Sequence, residues 1–465
     1  FSSSSCTIVM QVCHSGGLLV PPNSFAGRRP RHLRPSPCLP VQEKGGGQGL
    51  QEGDLDLEFS VPSWIEERNQ AFASSLKGKC ILAPLTKGGN RAFRQLTTEF
   101  GCPVTMSEMA YARGLLKGDR VEQARIIPAV GVENCFGAQI ATKTIEEGVG
   151  ATKLAKEAGA TWVDINVGCP IKDASRRGMG AIMLRKPRSL AKMVNGIVNE
   201  SELPVTVKIR IGAEKVNVHR VVALLARTGA AAVTIHGRTM EQMYRKPADW
   251  ALISEVVAAN PNLPIIGNGD ILTHYDASRR LSESGCHAVM TGRGALIRPW
   301  LFQELREGRE LALSAEDRVR IYRRLVALMK EQFGNDEWGQ RKAFYFFPWH
   351  FSFFHRYRPL PEEVYGEASR NYPLMITRHK KHDDGETLES LSLLERLLRC
   401  SNEKAHGEIA AALWDAASDQ DAIISLEKLA SSELLAWEAE EAGREPGNER
   451  SSRDARTGQD DGVEG

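Results

Sequence analysis

The chain has 465 residues, of which 42% are hydrophobic and 25% charged, the balance of a globular protein with a sizeable core. This length allows one large domain and a smaller one. The formal net charge is only +2, so nucleic-acid binding would require a local basic face. None of the nine cysteines forms a CxxC pair, and no run of about 18 apolar residues occurs. We therefore expect a reducing compartment, no metal and no membrane partner.

The first 50 residues differ in composition from the rest. No Asp or Glu precedes Glu43, whereas residues 2–5 are all serine and four arginines fall within 28–34. An acid-free segment rich in Ser and Arg is typical of an organellar transit peptide. We expect residues 1–50 to be a disordered leader that directs the protein to a chloroplast or mitochondrion. A leader without a targeting role, in a cytoplasmic protein, is the alternative.

Between residues 79 and 308, short β-branched runs alternate with helical patterns. This alternation is typical of parallel βα units, and eight of them predict a closed (β/α)8 TIM barrel. A doubly wound open sheet is the alternative, although the first turn lacks the glycine fingerprint usual in that fold. The predicted strands are 80–85, 104–109, 135–140, 162–167, 205–211, 232–236, 264–267 and 288–291. Helices are predicted at 145–158, 189–199, 218–228, 248–259 and 273–284.

Beyond the barrel, helical patterns at 318–333, 388–399 and 408–417 predict a small α-helical domain over residues 315–430. The segment 341–358 mixes arginines with many aromatic residues, which could stack bases. The alternative is that the aromatic residues form the core of the helical domain. From Glu433 the chain becomes acidic and polar, so residues 433–465 are predicted to be a disordered tail.

Polar or glycine residues follow every predicted strand, at the end where a TIM barrel carries its active site. Eight consecutive strand ends of this kind are hard to explain by packing alone. In chain order they carry Pro84-Leu85-Thr86, Glu108, Gln139, Asn166 with Cys169, Lys208 with Arg210, His236 with Arg238, Asn268-Gly269-Asp270 and Gly292-Arg293-Gly294.

Cys169 is the most informative of these residues. The apolar run 161–167 predicts a buried strand that stops at Gly168-Cys169-Pro170 and enters a loop containing Gly178 and Gly180. This pattern places Cys169 on the rim of a pocket, where a thiol can give up a proton. An unperturbed thiol has a pKa of about 8.5, so it keeps its proton at neutral pH and can act as an acid. An inert buried cysteine is the alternative.

Two further strand ends suggest an anionic ligand. The glycines around Asn268 and Arg293 follow the seventh and eighth strands, where this fold often holds a phosphate. Two tight turns are the alternative. Lys208, in an otherwise buried strand, must reach the barrel mouth or carry a large desolvation cost. A cation there would stabilise the negative charge of a reduced flavin. His236 would contact flavin or substrate, unless it is structural.

Five of these motifs occur in an order that resembles the tRNA-dihydrouridine synthase family, and most closely its eukaryotic position-47 branch. The resemblance covers about residues 79–308. The CCCH zinc fingers of that branch in animals and fungi are not present, and residues 341–385 match it only loosely. The motifs are Asn166-Val167-Gly168-Cys169-Pro170, Val207-Lys208-Ile209-Arg210, His236-Gly237-Arg238, Gly267-Asn268-Gly269-Asp270 and Gly292-Arg293-Gly294-Ala295.

The resemblance implies an FMN-binding barrel followed by a helical tRNA-binding domain. The activity it implies is reduction of the C5–C6 double bond of a tRNA uridine, with NADPH or NADH as reductant; we expect a monomer. Cys169 would be the general acid, and Asn166 would position the uracil. Arg238, Arg176 and Arg177 would bind the substrate. Arg176 and Arg177 could meet RNA phosphates, unless they form only a solvated face. The implied cofactor-binding residues are Pro84, Leu85, Thr86, Gln139, Lys208, His236, Asn268, Gly269, Asp270, Gly292 and Arg293.

Two other functions stay open at this point. One is a flavin-dependent barrel reductase that acts on a small molecule, which would not need a basic helical domain. The other is a non-catalytic tRNA-binding protein on an inherited barrel, although the presence of Cys169, Lys208 and His236 together argues against it.

Overall fold

The computed structural model describes residues 49–375 and 390–442. Nearly all of the predicted leader, residues 1–48, therefore lies outside the described residues, as does most of the predicted tail, residues 443–465. Within the described ranges, no helix has the length and apolar character needed to cross a membrane. No group of three or more His, Cys, Asp or Glu residues there is arranged to hold a metal ion.

Short parallel strands form a single curved sheet with helices outside it, so the predicted (β/α)8 barrel is confirmed. The strand order is β1-β9-β8-β7-β6-β5-β4-β2, and β3 also pairs with β4. The barrel closes where the backbone N–H of Leu82 donates to the carbonyl of Val104 at 3.0 Å. The strands are β1 (Cys80–Leu82), β2 (Thr105–Met106), β3 (Ala110–Tyr111), β4 (Phe136–Ala141), β5 (Trp162–Val167), β6 (Val205–Arg210), β7 (Ala232–His236), β8 (Ile265–Asn268) and β9 (Ala288–Thr291).

Three strands are shorter than predicted: β6 by one residue, and the first two by more. The first ends at Leu82 because the N–H groups of Gly88 and Gly89 both turn back to the carbonyl of Leu85. The second, predicted over 104–109, is interrupted between β2 and β3. There the Ser107 hydroxyl accepts the backbone N–H of Gln139 at 2.9 Å, so a side chain takes the place of a ladder bond.

The strand register places polar side chains inside the barrel in two levels. Gln139 pairs with Asp164 and Asp164 with Thr206, which puts these three residues at one level. Asn166 pairs with Lys208 one pleat nearer the C-terminal ends of the strands. Because side chains alternate along a strand, the apolar residues between them pack outward against the helices. The barrel mouth is thus lined by polar residues.

The barrel helices begin where the sequence supplies caps. Thr144, for example, accepts the N–H of Glu147 at 3.2 Å and starts α6. A 3-10 turn spans Gly180–Arg185. The helices up to the end of the barrel are α1 (Glu52–Leu55), α2 (Ser63–Leu76), α3 (Arg91–Glu99), α4 (Ala112–Leu116), α5 (Arg120–Arg125), α6 (Ile145–Glu157), α7 (Lys172–Arg176), α8 (Pro187–Glu200), α9 (Val218–Leu225), α10 (Trp250–Ala259), α11 (His274–Ser284), α12 (Arg293–Ile297) and α13 (Leu301–Glu307).

The described residues that follow the barrel are mainly helical, as predicted. Within the aromatic segment, Phe347, Phe351 and Phe354 are fully buried, so these residues form the core of the helical region. Tyr345 differs, because 51% of it is exposed. The helices are α14 (Ala315–Phe333), α15 (Glu337–Ala343), α16 (Phe347–Phe354), α17 (Glu362–Asn371), α18 (Leu393–Leu398), α19 (Glu403–Asp415) and α20 (Asp419–Ala442).

The predicted start of the disordered tail at residue 433 is wrong, because α20 continues to Ala442. Leu434 and Trp437 on this helix are buried and pack into the hydrophobic core. Acidic residues that suggested disorder pair with basic ones instead. Lys404, for instance, donates to Glu440 at 3.0 Å. Apolar burial at two positions therefore outweighs the polar composition of this segment.

Candidate active site

Cys169 lies in the loop after β5, at the C-terminal mouth of the barrel, and is half-buried. Asn166, at the end of β5, holds this loop: its side-chain oxygen accepts the N–H groups of Gly168 at 3.2 Å and of Cys169 at 2.9 Å. Arg210, almost fully buried at the end of β6, donates to the Gly168 carbonyl at 2.8 Å. Two side chains from adjacent strands thus fix the backbone immediately before the thiol.

Gly180 holds the same loop from its far end. Its φ of +72° lies in the left-handed region, which favours glycine. A Cβ added there would lie 2.5 Å from the carbonyl oxygen of Cys169. That carbonyl accepts the N–H of Ala181 at 3.0 Å. The glycine predicted from the loop sequence is therefore required both by its backbone conformation and by its close approach to Cys169.

The surroundings of the thiol favour its neutral form. Cys169 packs against a small apolar cluster formed by Met109, Ala141, Met179 and Tyr111. Burial raises the pKa of the Cys169 thiol, and the nearby cations Arg210 and Lys208 only partly oppose this effect. The thiol therefore keeps its proton at neutral pH, as an acid must before it reacts.

Lys208 is half-buried and reaches from β6 to β8, where its ammonium donates to Asn268 at 3.0 Å. Burial and the neighbouring Arg210 lower the pKa of Lys208, while the carboxylate of Asp164 acts in the opposite direction. Burial also shifts the pKa of Asp164, which it raises, while hydrogen bonds from Thr206 and Gln139 act to lower it. An ammonium has three N–H donors, so Lys208 can still bind an acceptor at the mouth.

A buried ionic cluster joins the strand ends at β7, β8 and β9. Both side-chain oxygens of Asp270 accept from Arg238, at 2.6 and 2.7 Å, and Arg293 donates to the same carboxylate at 3.1 Å. Another guanidinium nitrogen of Arg238 lies 3.1 Å from Nε2 of His236. Burial and the surrounding arginines lower the pKa of His236 well below its ordinary value, so the imidazole is neutral.

Arg238, predicted to bind the substrate, is turned into the protein interior. Its side chain is fully buried, and its Nε donates to the carbonyl of Lys246 at 2.6 Å. In this conformation Arg238 positions His236 and Asp270, and its contact with the substrate stays a prediction. Its burial could not be predicted from the motif, since exposed and buried arginines look alike beside a glycine.

The glycine-rich turns at the mouth bring chain segments close together. Gly269 has a φ of +134°, and a Cβ there would lie 2.5 Å from the Cβ of Ala248. A Cβ at Gly292 would lie 3.1 Å from Cδ2 of Leu85, so the first and last strand ends adjoin. Pro84 and Leu85 are half-buried at this edge, whereas Thr86 is exposed. Most of the predicted cofactor residues are thus gathered at one face.

Gln139 is placed more deeply than expected. It is 1% exposed, and its amide lies between Asp164 and Asn166, with hydrogen bonds of 2.8 Å to each. Its remaining amide proton points toward the sulfur of Met106, 3.8 Å away. In this conformation Gln139 supports its neighbours, and a contact with a cofactor ring stays a prediction.

Tyr244 is a candidate site residue that the sequence did not single out. It is 48% exposed, and its ring centre lies 4.1 Å from the guanidinium carbon of Arg293 and 6.1 Å from the ring centre of His236. An aromatic ring over a cation is a favourable arrangement. Its position in a long loop after β7 was the available signal, because barrel active sites are built from such loops.

Arg176 and Arg177, predicted to contact RNA, lie at the end of α7 and just after it, and both are exposed. Arg177 pairs with Asp173 at 3.0 Å, and its guanidinium lies 4.7 Å from the ring centre of Tyr111. The Tyr111 hydroxyl donates to Asp173 at 2.8 Å. Arg177 is thus ordered beside the Cys169 loop, and its contact with RNA stays a prediction.

The fold and the site are together those of a TIM-barrel enzyme. The protonated thiol of Cys169 and the half-buried ammonium of Lys208 lie at the C-terminal face of the barrel. The sequence comparison agrees with this class. The chain matches the family described as dihydrouridine synthase (Dus) over residues 81–365, which is more than half of its length. The protein belongs to the dihydrouridine synthase family.

Curated relatives carry the name tRNA-dihydrouridine(47) synthase. The protein of that name, NAD(P)(+)-like, from Homo sapiens is 38% identical over 294 residues, which are 61% of this chain and 44% of the human protein. The synthase from Coprinopsis cinerea is 35% identical over 375 residues, 76% of this chain and 53% of that protein. The chain thus spans about half the length of the curated relatives it matches.

Among solved structures, histamine dehydrogenase from Rhizobium sp. 4-9 aligns with a TM-score of 0.41 and 13% identity. The alignment covers 54% of this chain and 49% of that one.

Proposed function

We propose that this protein is a tRNA-dihydrouridine synthase, which reduces the C5–C6 double bond of a uridine in tRNA. FMN would be the cofactor and NADPH or NADH the reductant. One observation carries this proposal: a chain of this family has both a half-buried, protonated thiol, that of Cys169, and the ammonium of Lys208 at its barrel mouth. The names of the curated relatives support the same activity.

The residues at the mouth fit FMN. A flavin ring needs a donor for its carbonyl edge, and Lys208 has N–H groups beyond the one it gives to Asn268. It also needs an apolar edge, which the half-buried Pro84 and Leu85 offer. A phosphate group needs a cation and a backbone that it can approach closely. Gly292 has no side chain to block such an approach, and the neighbouring Arg293 supplies the cation, with 18% of its side chain exposed.

When bound and reduced, FMN supplies a hydride. The residues of the chain position the proton donor and stabilise the charge that develops. Asn166 and Gly180 hold the Cys169 loop, so that the thiol can donate its proton to C5 of the uracil. The ammonium of Lys208 stabilises negative charge that develops during the reduction. Neutral His236 adds no charge: its Nε2 accepts from Arg238, which leaves its Nδ1–H as a hydrogen-bond donor.

Access of a tRNA uridine requires that the base leave its stack and enter the mouth. The described surface beside the mouth suits a nucleic acid, because it carries both cations and aromatic rings. The ammonium of Lys87, just after β1, lies 4.2 Å from the ring centre of the exposed Tyr345. On α15, the exposed Trp338 lies 5.9 Å from the guanidinium of Arg341. Stacking on such rings is tolerant of sequence.

Two narrower proposals accompany the main one. The uridine at position 47 is proposed as the target on the names of the relatives. An organellar location is proposed on the composition of residues 1–50 and is tested by imaging a fluorescent fusion to that segment.

The decisive experiment is dihydrouridine mapping on tRNA that lacks this modification. The FMN-loaded protein is incubated with NADPH and the tRNA, beside a Cys169→Ala variant loaded with FMN to the same extent. Dihydrouridine at one position, largely lost in the variant, would support the reaction, the acid and the site together. A flavin-loaded protein that leaves every uridine unchanged would overturn the proposal.

A further inference from the structure

A continuous chain of hydrogen bonds runs through the barrel interior to Cys169. The Thr206 hydroxyl donates to one oxygen of Asp164 at 2.6 Å, and the Gln139 amide donates to the other at 2.8 Å. The Gln139 oxygen accepts from Asn166 at 2.8 Å. The oxygen of Asn166 then accepts the backbone N–H of Cys169 at 2.9 Å. Five residues on three strands and one loop are thus linked in series.

The direction of these bonds is fixed at the Cys169 end. The backbone N–H groups of Gly168 and Cys169 can only donate, so Asn166 must turn its carbonyl oxygen toward them. Its NH2 group then faces Gln139, whose carbonyl oxygen must accept it. The NH2 group of Gln139 is left facing Asp164. A residue that accepts is therefore required at position 164.

The other end of the chain meets this requirement. An ionised carboxylate accepts hydrogen bonds and cannot donate them, so Asp164 holds the Gln139 amide in the orientation that the loop demands. The Thr206 hydroxyl, which can donate, occupies the second oxygen. Both ends of the chain thus select the same orientation of the two amides. If either amide turned over, a donor would face a donor on one side of it, and an acceptor would face an acceptor on the other.

Asp164 is also costly to place where it is. It is fully buried, in a strand whose other residues except Asn166 are apolar. An apolar side chain of similar volume would avoid the desolvation of a carboxylate. Packing alone therefore does not account for this residue, whereas the orientation of Gln139 and Asn166 does.

We propose that Asp164 is a positioning residue that sets the orientation of the Gln139 and Asn166 amides and, through them, the position of the Cys169 thiol. The proposal rests on the proposed function insofar as Cys169 is the acid of the reaction. Asp164 itself is separated from the thiol by two side chains and takes no part in proton transfer.

Three variants separate positioning from charge and from general damage to the interior. Asp164→Leu removes the acceptor for Gln139. Asp164→Asn keeps it, because the asparagine oxygen can accept from Gln139 while its NH2 group donates to the Thr206 hydroxyl. Thr206→Val is the matched control, because it removes a hydrogen bond from the same carboxylate on the side away from Cys169.

The primary readout needs neither tRNA nor turnover. Alkylation of Cys169 by iodoacetamide is followed by peptide mass spectrometry, with the half-buried Cys135 as internal reference. In Asp164→Leu, Cys169 should react about fivefold faster relative to Cys135, since loss of one internal hydrogen bond loosens the loop. In Asp164→Asn and Thr206→Val, the ratio should stay within about twofold of wild type. The second readout is turnover on tRNA, where Asp164→Leu should lower kcat and leave KM unchanged.

If Asp164→Leu does not fold, Gln139→Met serves in its place, because it keeps the carboxylate but cuts its link to Asn166. An unchanged alkylation ratio in the folded variant would overturn the proposal. So would an Asp164→Asn protein as altered as Asp164→Leu, because charge rather than orientation would then be the cause. If the wild type forms no dihydrouridine while the alkylation order holds, the proposed function fails and the positioning role stands.

Discussion

The ammonium of Lys208 lies 3.0 Å from the side-chain oxygen of Asn268, although the whole of β7 separates their strands. Asn268 in turn donates to the carbonyl of Met290 on β9, at 2.8 Å. The long side chain of Lys208 thus reaches across β7 and links β6, the strand beside the Cys169 loop, to the strand ends that carry Asp270 and Arg293. A change at Lys208 is therefore expected to act on the reaction and on the phosphate side of the site together.

The pH dependence of the reaction should reflect Lys208. Burial and Arg210 lower the pKa of Lys208 to about 8. The charged form is lost as pH rises through this value, so the single-turnover rate of dihydrouridine formation should fall on the alkaline side near it. Cys169 cannot be the cause, because burial raises the pKa of its thiol and delays the loss of its proton. In Lys208→Arg the fall should move to higher pH; an unmoved profile would contradict this assignment.

Gly180→Ala should reduce activity far more than stability. Gly178 and Gly180 have φ values of +75° and +72°, so alanine at either position costs about 1 kcal/mol in backbone strain. Only at Gly180 would the new Cβ meet the Cys169 carbonyl, at 2.5 Å, whereas at Gly178 the nearest atom is 3.9 Å away. Displacement of a catalytic group by about 1 Å can lower a rate about a hundredfold.

The two alanine variants therefore make a matched pair. Their free energies of unfolding are compared by urea denaturation, and their single-turnover rates on tRNA. Equal loss of activity in Gly178→Ala and Gly180→Ala would show that the contact with Cys169 is not what matters.

Arg238→Leu should destabilise the protein, because it leaves the buried carboxylate of Asp270 with fewer partners. Breaking a buried ion pair costs about 3–5 kcal/mol, and the remaining bonds from Arg293 and the Ala248 N–H favour the lower value. Arg320→Leu, which removes an exposed pair with Asp317, should cost less than about 1 kcal/mol. Urea denaturation measures both. Similar losses in the two variants would mean that Arg238 is not held as the structure indicates.

Tyr345→Ala should weaken tRNA binding without affecting FMN. Its ring is 51% exposed beside Lys87 at the mouth, and stacking of one base is worth about 1–3 kcal/mol. Tyr372→Ala is the control, because Tyr372 is 48% exposed and has the same side chain. Fluorescence anisotropy with labelled tRNA, at one fixed salt concentration, compares the two. Equal affinity in both variants would remove Tyr345 from the RNA surface.

The sequence alone determined the barrel and the positions of its strands. Runs such as Trp162–Val167 and Ala232–His236 occur in the structure with the predicted bounds, because β-branched residues buried on both faces leave few alternatives to a parallel strand. It also placed Cys169 at the mouth, since a strand followed by Gly and Pro must end there. These features depend on local pattern, which is present in the order of residues.

Only the tertiary structure decided which polar residues form hydrogen bonds with each other. The sequence predicts ligand contacts for Arg238 and Gln139, and in the structure hydrogen bonds to Asp270 and Asp164 hold both side chains in the interior. Asp164 has the same strand parity as Asn166, and that parity was the only signal of its place inside the barrel. These hydrogen bonds join residues on strands that are distant in sequence. The orientation of each side chain is set by the need of buried donors and acceptors for partners, and those partners come together only once the barrel has closed.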